Sequence, residues 1–265
     1  MKRWWIAGAL LLLLLTGCQE RRPIDRQEVQ EVSSSQEVSQ EEESSHPPQE
    51  EEPEESSQPE EEKQTGIPEG LTRSDWNLIL VNAQHPLEEE LPVELADVYG
   101  MQFDARAAED LKAFIDAGQA AGFQVQMVDT YRSFAVSQYN LDRRIGQLME
   151  EGCTEEEARA IAVKWIAPPG QSEHNTGLAL DVVSVEYRQA NALLDHNFEE
   201  DPLFQWLIDN CADYGFVLRY PKDKEEITGI TYEPWHYRYV GREAARYIMD
   251  NQLCLEEFWE MLPEE

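Results

Sequence analysis

The chain has 265 residues, 54 of them acidic and 21 basic, for a formal net charge of −33. Such an excess of carboxylate repels a polyanion, which excludes nucleic acid as a partner. Apolar residues patterned for a core are missing between positions 19 and 66, so residues 67–265 are left to build one domain of ordinary size.

The N-terminus, MKRWWIAGALLLLLLTGC, has a basic start and an apolar run from Trp4 to Leu15. It reads as a signal peptide over residues 1–18, with an apolar run too short for a membrane-spanning helix. The tetrapeptide LTGC resembles a bacterial lipobox, which implies cleavage before Cys18 and attachment of lipid to its thiol. The protein is therefore expected outside the cytoplasm, anchored by lipid to the cell membrane. Residues 19–66 are dominated by Glu, Ser, Gln and Pro and are predicted to form a disordered acidic tether. Its mean reach by random-coil scaling is ~35–45 Å. The tether carries 16 acids and 4 bases, and residues 67–265 retain a net charge of −23.

Within 67–265, WNLILVN (Trp76 to Asn82) has the length and apolarity of a strand opening the central sheet. An amphipathic helix is predicted next, with Asp104 as N-cap, Ala108, Leu111, Phe114 and Ile115 on one face, and Gly122 as the stop. FQVQMVDT (Phe123 to Thr130) alternates as a half-buried strand and delivers Tyr131-Arg132-Ser133 to its end. Helices over 134–150 and 154–166 follow, the second capped by Thr154 with three glutamates in its first turn. LALDVV, FVLRY and ITYEPWHY read as strands. Leu203 to Tyr214 and Arg242 to Asn251 read as helices. Helices come first and strands return late without regular βαβ alternation, which predicts an α+β domain with a mainly antiparallel sheet. Cys153, Cys211 and Cys254 lack the short paired spacings of a metal site. In an oxidising compartment Cys211 and Cys254 are the more plausible disulfide, although sequence does not fix connectivity.

Two stretches carry chemistry: PPGQSEHNTGLALDVV from Pro168 and TYEPWHYRYVG from Thr231. A catalytic zinc needs three imidazole or carboxylate ligands and one open position, and His174, Asp181 and His236 supply that set. Asp181 lies inside an apolar strand, where an ionised carboxylate is costly unless paired or metal-bound. Gly177 would let the chain turn so that His174 and Asp181 face one point. Glu233 precedes His236 by three residues, so in an extended strand the two would point to opposite faces. Pro234 must bend the chain if both serve one site.

SEHNTGLALD resembles the S-x-H-x-x-G-x-A-x-D motif, and EPWHYRYVG the E-x-W-H motif, of the zinc D-alanyl-D-alanine carboxypeptidases of the VanY type. That family belongs to a wider group with the lysostaphin-like enzymes and the hedgehog signalling domain. The resemblance runs from about Trp76 to Asn251. It implies an α+β metallopeptidase, with one zinc, that removes the C-terminal D-alanine from peptidoglycan stem peptides or their precursors. It further implies that His174, Asp181 and His236 are the zinc ligands and Glu233 the general base. Ser172 would hold the substrate's terminal carboxylate. Arg132 would contact the carbonyl near the metal, a role suited to a guanidinium that cannot lose its proton. The family pattern has a glutamine five residues after this arginine. Here that position is Ser137, and the substrate contact is expected of Gln138. An L,D-carboxypeptidase or a cross-bridge endopeptidase shares the same chemistry. A non-catalytic zinc-containing peptidoglycan-binding module is the alternative of another class, and Glu233 argues against it, since a purely structural site needs no base. The expected partners are stem peptides and, through the lipid, the membrane, with the protein acting as a monomer.

Overall fold

The structure, a computed structural model, describes residues 66–265. Cys18 and residues 19–65 of the acidic segment lie outside the described residues.

The described chain opens with an irregular segment and then a hairpin of β1 (Leu95–Val98) and β2 (Met101–Asp104). Tyr99 and Gly100 turn this hairpin, both with positive φ, the geometry of the tight turns that match strand twist. α1 (Ala108–Ala120) follows, then β3 (Val125–Asp129), α2 (Phe134–Glu150) and α3 (Glu155–Ala162). Ser133 caps α2 by accepting from the Val136 N–H. Thr154 and Glu157 form a reciprocal capping box on α3. After a 3-10 turn at Glu173–Thr176 come β4 (Ala179–Ser184), α4 (Val185–Ala190), α5 (Pro202–Asn210) and β5 (Phe216–Leu218). The chain ends through α6 (Glu225–Thr228), β6 (His236–Tyr239), α7 (Arg242–Asp250) and α8 (Leu255–Met261).

β3, β4, β6 and β5 form one sheet in that order, antiparallel throughout. This is the expected α+β architecture with an antiparallel sheet. The main core lies between the sheet and α1 and α5, with Leu111, Phe114, Leu180, Val182, Phe216 and Tyr237 at its centre. A second cluster packs α7 and α8 around Leu78, Leu80 and Val217. A third, small one sits between α2 and α3, from Leu141, Ile145 and Leu148 against Ala158 and Ala162.

Several expectations give way. Trp76–Asn82 forms no strand. Its apolar side chains do enter the core, but the carbonyls of Asn77 and Ile79 accept hydrogen bonds from the buried Arg238 guanidinium, so a side chain satisfies the backbone where a sheet partner would have. Asp104 ends β2 and is not the cap of α1, whose N-cap is Ala107. The Asp104 carboxylate accepts from the N–H and guanidinium of Arg106. The strand expected across ITYEPWHY is confined to His236–Tyr239. The two buried cysteines are free thiols: Cys211 belongs to the main core and Cys254 precedes α8 in a different part of the fold. α8 itself had no counterpart in the sequence reading.

Candidate active site

Three antiparallel neighbours put the chemistry on one face of the sheet. Asp181 on β4 lies directly opposite His236 on β6 and Asp129 on β3, so the three side chains form a row across the strands. His174 arrives from the 3-10 turn, which Gly177 ends with φ 73°. A Cβ at Gly177 would sit 3.3 Å from the Asp104 backbone nitrogen, so the left-handed turn and the close approach both call for glycine. Asn175 staples this loop to the first turn of α2 and the segment before it by donating to Ser137 Oγ (3.1 Å) and to the Arg132 carbonyl (2.6 Å).

The imidazole, carboxylate and imidazole donors of His174, Asp181 and His236 lie within 4.8 Å of one another, and all three residues are buried. His174 Nδ1–H donates to the Thr130 carbonyl at 2.6 Å, which directs Nε2 toward Asp181 Oδ2, 3.4 Å away. His236 Nδ1 is 2.9 Å from Asp181 Oδ1. Its other nitrogen, Nε2, faces Glu173 Oε2 at 3.8 Å, and neither atom has another partner among the described residues. Burial and the neighbouring histidines act in opposite directions on Asp181, and the histidines prevail, holding its carboxyl well below the usual range. Burial lowers the pKa of His236, yet the hydrogen bond to Asp181 and the nearby carboxylates of Glu173 and Glu233 outweigh it and raise the group to about 9. The buried Asp181 carboxylate between the two imidazoles gives the site a negative potential that suits a cation.

The bend expected at Pro234 is present as a turn in which the His236 N–H donates to the Glu233 carbonyl at 3.2 Å. It folds Glu233 back onto the face of His236, with Glu233 Oε2 3.7 Å from His236 Nδ1. Burial, above all, pushes the Glu233 carboxyl up to about 7, the range in which a carboxylate can take and return a proton at neutral pH.

These groups line a cleft of about 570 Å³ together with Ser172 and Arg132. The Ser172 side chain makes no capping bond to the turn it precedes. Arg132 is held by Asp129, whose Oδ2 accepts from its Nη2 at 2.6 Å. Gln138 is not brought to the site: it is exposed on α2 and donates to Asp142 Oδ1 at 2.8 Å. One helical step is a rotation of about 100°, so Ser137 points inward under the motif loop while Gln138 points away.

Sequence reasoning passed over the support beneath the site. Glu173, fully buried, accepts through Oε1 from Arg219 Nε (2.7 Å) and Arg238 Nη1 (2.8 Å), and Arg219 also donates to both oxygens of Glu256. The signal was an arginine within FVLRY and another directly after ITYEPWHY, both at strand positions where an unpaired charge would be prohibitive.

Comparison with known proteins bears on this geometry. The profile of the family described as VanY, D-alanyl-D-alanine carboxypeptidase, matches residues 100–242. A D-alanyl-D-alanine carboxypeptidase of Enterococcus faecalis is 40% identical over 185 residues, which are 69% of this chain and 66% of the enterococcal protein. The structure of VanYB in complex with D-alanine-D-alanine matches with a TM-score of 0.62 at 38% identity, over 70% of this chain and 98% of that one. The LdcB LD-carboxypeptidase matches with a TM-score of 0.56 at 35% identity, over 70% and 86% of the two chains.

Proposed function

The chain belongs to the VanY D-alanyl-D-alanine carboxypeptidase family, and from that premise we propose that it is a zinc carboxypeptidase removing the C-terminal D-alanine from peptidoglycan stem peptides or their precursors. The observation that carries this reading is the clustering of three metal-ligand donors within 4.8 Å beside a buried carboxylate that is not needed as a ligand. The donor set fits zinc: two imidazoles and one carboxylate, with the Nδ1–H of His174 fixed on a backbone carbonyl.

His174, Asp181 and His236 would hold the zinc, which when bound would lower the pKa of a coordinated water toward ~7 and polarise the scissile carbonyl. The protein's own groups do the rest. Glu233 takes the proton of the attacking water and returns it to the departing amine of D-alanine. Arg132, kept in place by Asp129, donates to the carbonyl oxygen as negative charge grows there. Ser172 Oγ offers a hydrogen bond to the terminal carboxylate. Glu173 orients His236 from behind.

Glu233→Gln tests the reading. At equal zinc content the variant should release D-alanine from a pentapeptide stem ~10²–10⁴-fold more slowly than the parent, the usual range for loss of a general base. An inactive parent would rule out the enzyme, and an active variant would rule out Glu233 as base. Activity on the tetrapeptide stem distinguishes the L,D reading, for which the likeness to LdcB is the support.

We further propose a place of action from the N-terminal sequence. The signal-like residues 1–18, lipid on Cys18 and the acidic segment 19–66 would tether the domain of residues 67–265, as a monomer, to the outer face of the cell membrane. Cys18→Ser should move the protein out of the membrane fraction or leave it unprocessed, and an unchanged mature mass would count against the lipid.

A further inference from the structure

The cleft extends beyond the metal ligands. Its far wall is the α2–α3 hairpin, which contributes Arg143, Arg144 and Gln147 from α2 and Trp165 and Ile166 from the chain after α3. Leu141, Ile145 and Leu148 turn into the hairpin's own core, so Arg143, Arg144 and Gln147, at helical spacings of three and four, occupy the flank beside the cleft.

Charge marks this flank. Residues 67–265 hold 38 acidic and 15 basic residues, and 11 of those bases lie within 4.0 Å of a described carboxylate, while Arg143, Arg159, Lys164 and Arg188 do not. Arg132, for example, is tied to Asp129, and Arg219 and Arg238 to Glu173. Among the described residues Arg143 has neither a carboxylate within 4.0 Å nor a side-chain hydrogen bond, and Arg144 has only the exposed Glu151 at 3.7 Å. None of the cleft's carboxylates, Glu173, Asp181, Asp195 and Glu233, pairs with either arginine. Asp181 is engaged by two histidines, Glu233 lies beside His236 and Glu173 is held by two arginines, while Asp195 accepts from the Tyr187 hydroxyl. This flank thus presents two guanidinium groups to the cleft, one of them without a carboxylate partner among the described residues.

Position narrows what this charge meets. The Arg132 N–H is bonded to the His174 carbonyl, so the start of α2 adjoins the metal site. Arg143 and Arg144 lie about 15 Å further along the helix at 1.5 Å per residue. An extended peptide covers about 3.3–3.6 Å per residue, so this distance, shortened by the reach of the arginine side chains, corresponds to roughly two to three residues upstream of the scissile bond. In a stem pentapeptide cut after its fourth residue, those are the third and second residues. The second is a D-glutamate linked through its side chain, with its α-carboxyl either free or amidated. The third is a diamino acid, which carries an extra carboxylate when it is diaminopimelate and none when it is lysine.

We propose that Arg143 and Arg144 form a subsite for a free carboxylate on the second or third stem residue, so that the substrate class is the anionic stem and amidated, lysine-containing stems are disfavoured. This inference rests on the carboxypeptidase reading above. The test uses the zinc-loaded full chain and four pentapeptide stems, with D-isoglutamate or D-isoglutamine at position two and diaminopimelate or lysine at position three. A charge-assisted contact predicts a kcat/KM preference of about tenfold for the free carboxylate, carried by KM and weakened by salt. A preference at one position alone assigns the source of the carboxylate. In R143A/R144A the ratio between carboxylate and amide stems should collapse toward one, and R143K/R144K should restore part of it. Equal kcat/KM for all four stems, or a preference that survives R143A/R144A, would overturn the subsite while leaving the carboxypeptidase reading intact. No D-alanine released from any stem would overturn both.

Discussion

Glu173→Gln should be among the most destabilising single substitutions in this domain, though it alters neither volume nor a proposed metal ligand. In the parent, Glu173 and Glu256 balance Arg219 and Arg238, and the Glu173 and arginine side chains are 0% exposed. Without the Glu173 charge, Arg219 keeps Glu256 at 2.6 and 2.8 Å. Arg238 keeps only the carbonyls of Tyr239, Asn77 and Ile79 and becomes a buried cation with no counter-ion. Removing one partner of a buried pair costs about 3–5 kcal/mol. The glutamine oxygen can still accept one hydrogen bond, which places the expected loss near the lower end, ~3 kcal/mol. That is a large share of the roughly 5–15 kcal/mol available to a folded domain. Urea unfolding of zinc-saturated parent and variant measures it. Glu256→Gln is the comparison and should cost less, because Arg219 then retains Glu173. A loss below ~1 kcal/mol for Glu173→Gln, or a larger loss for Glu256→Gln, would refute the account of the network.

Other outcomes follow from the same structure. His174→Ala should bind zinc well below the parent's stoichiometry by metal analysis, and full occupancy would remove His174 from the ligand set. Gly170→Ala should destabilise by roughly 1–3 kcal/mol in thermal or urea unfolding, because φ is 79° there and a Cβ would lie 2.4 Å from the Leu87 carbonyl oxygen. A neutral result would mean that the Leu87 segment yields freely. Burial, first of all, holds Tyr187, Tyr220 and Tyr237 above the usual tyrosine range, Tyr187 at about 12. The unfolded chain therefore loses these protons first, so the stability they contribute is complete below pH ~10 and declines as pH rises from there. An ultraviolet titration should show tyrosines that ionise only as the fold is lost, and full ionisation near pH ~10 with the fold intact would contradict their burial.

Much of the fold and the site was legible because the relevant signals are local. α2 and α3 begin where Ser133 and Thr154 can cap them, and α5 with its terminal turn stops at Gly215, whose φ is 84°. Asp181, an acid amid Leu180 and Val182, announced a partner or a metal by its cost alone. The bend at Pro234 followed from the odd spacing of Glu233 and His236. Gln138 shows the limit of that style of reasoning: one position along a helix decides whether a side chain meets the cleft or solvent, and only the orientation of α2 against Asn175 settles it.

From its own composition and motifs the sequence determined the architecture class, the starts of α2 and α3 and the set of groups able to bind a metal, since caps, glycine turns and the expense of a buried charge act within a few residues. Tertiary structure alone decided how remote segments satisfy one another. Trp76–Asn82 has the apolarity of a strand, but its carbonyls are taken by Arg238, more than 150 residues away, and so it stays irregular. The pairing of Glu173 with Arg219 and Arg238 likewise depends on where β5 and β6 lie beside the 3-10 turn. A buried polar group must find a partner, but which partner it finds is a property of the packed chain.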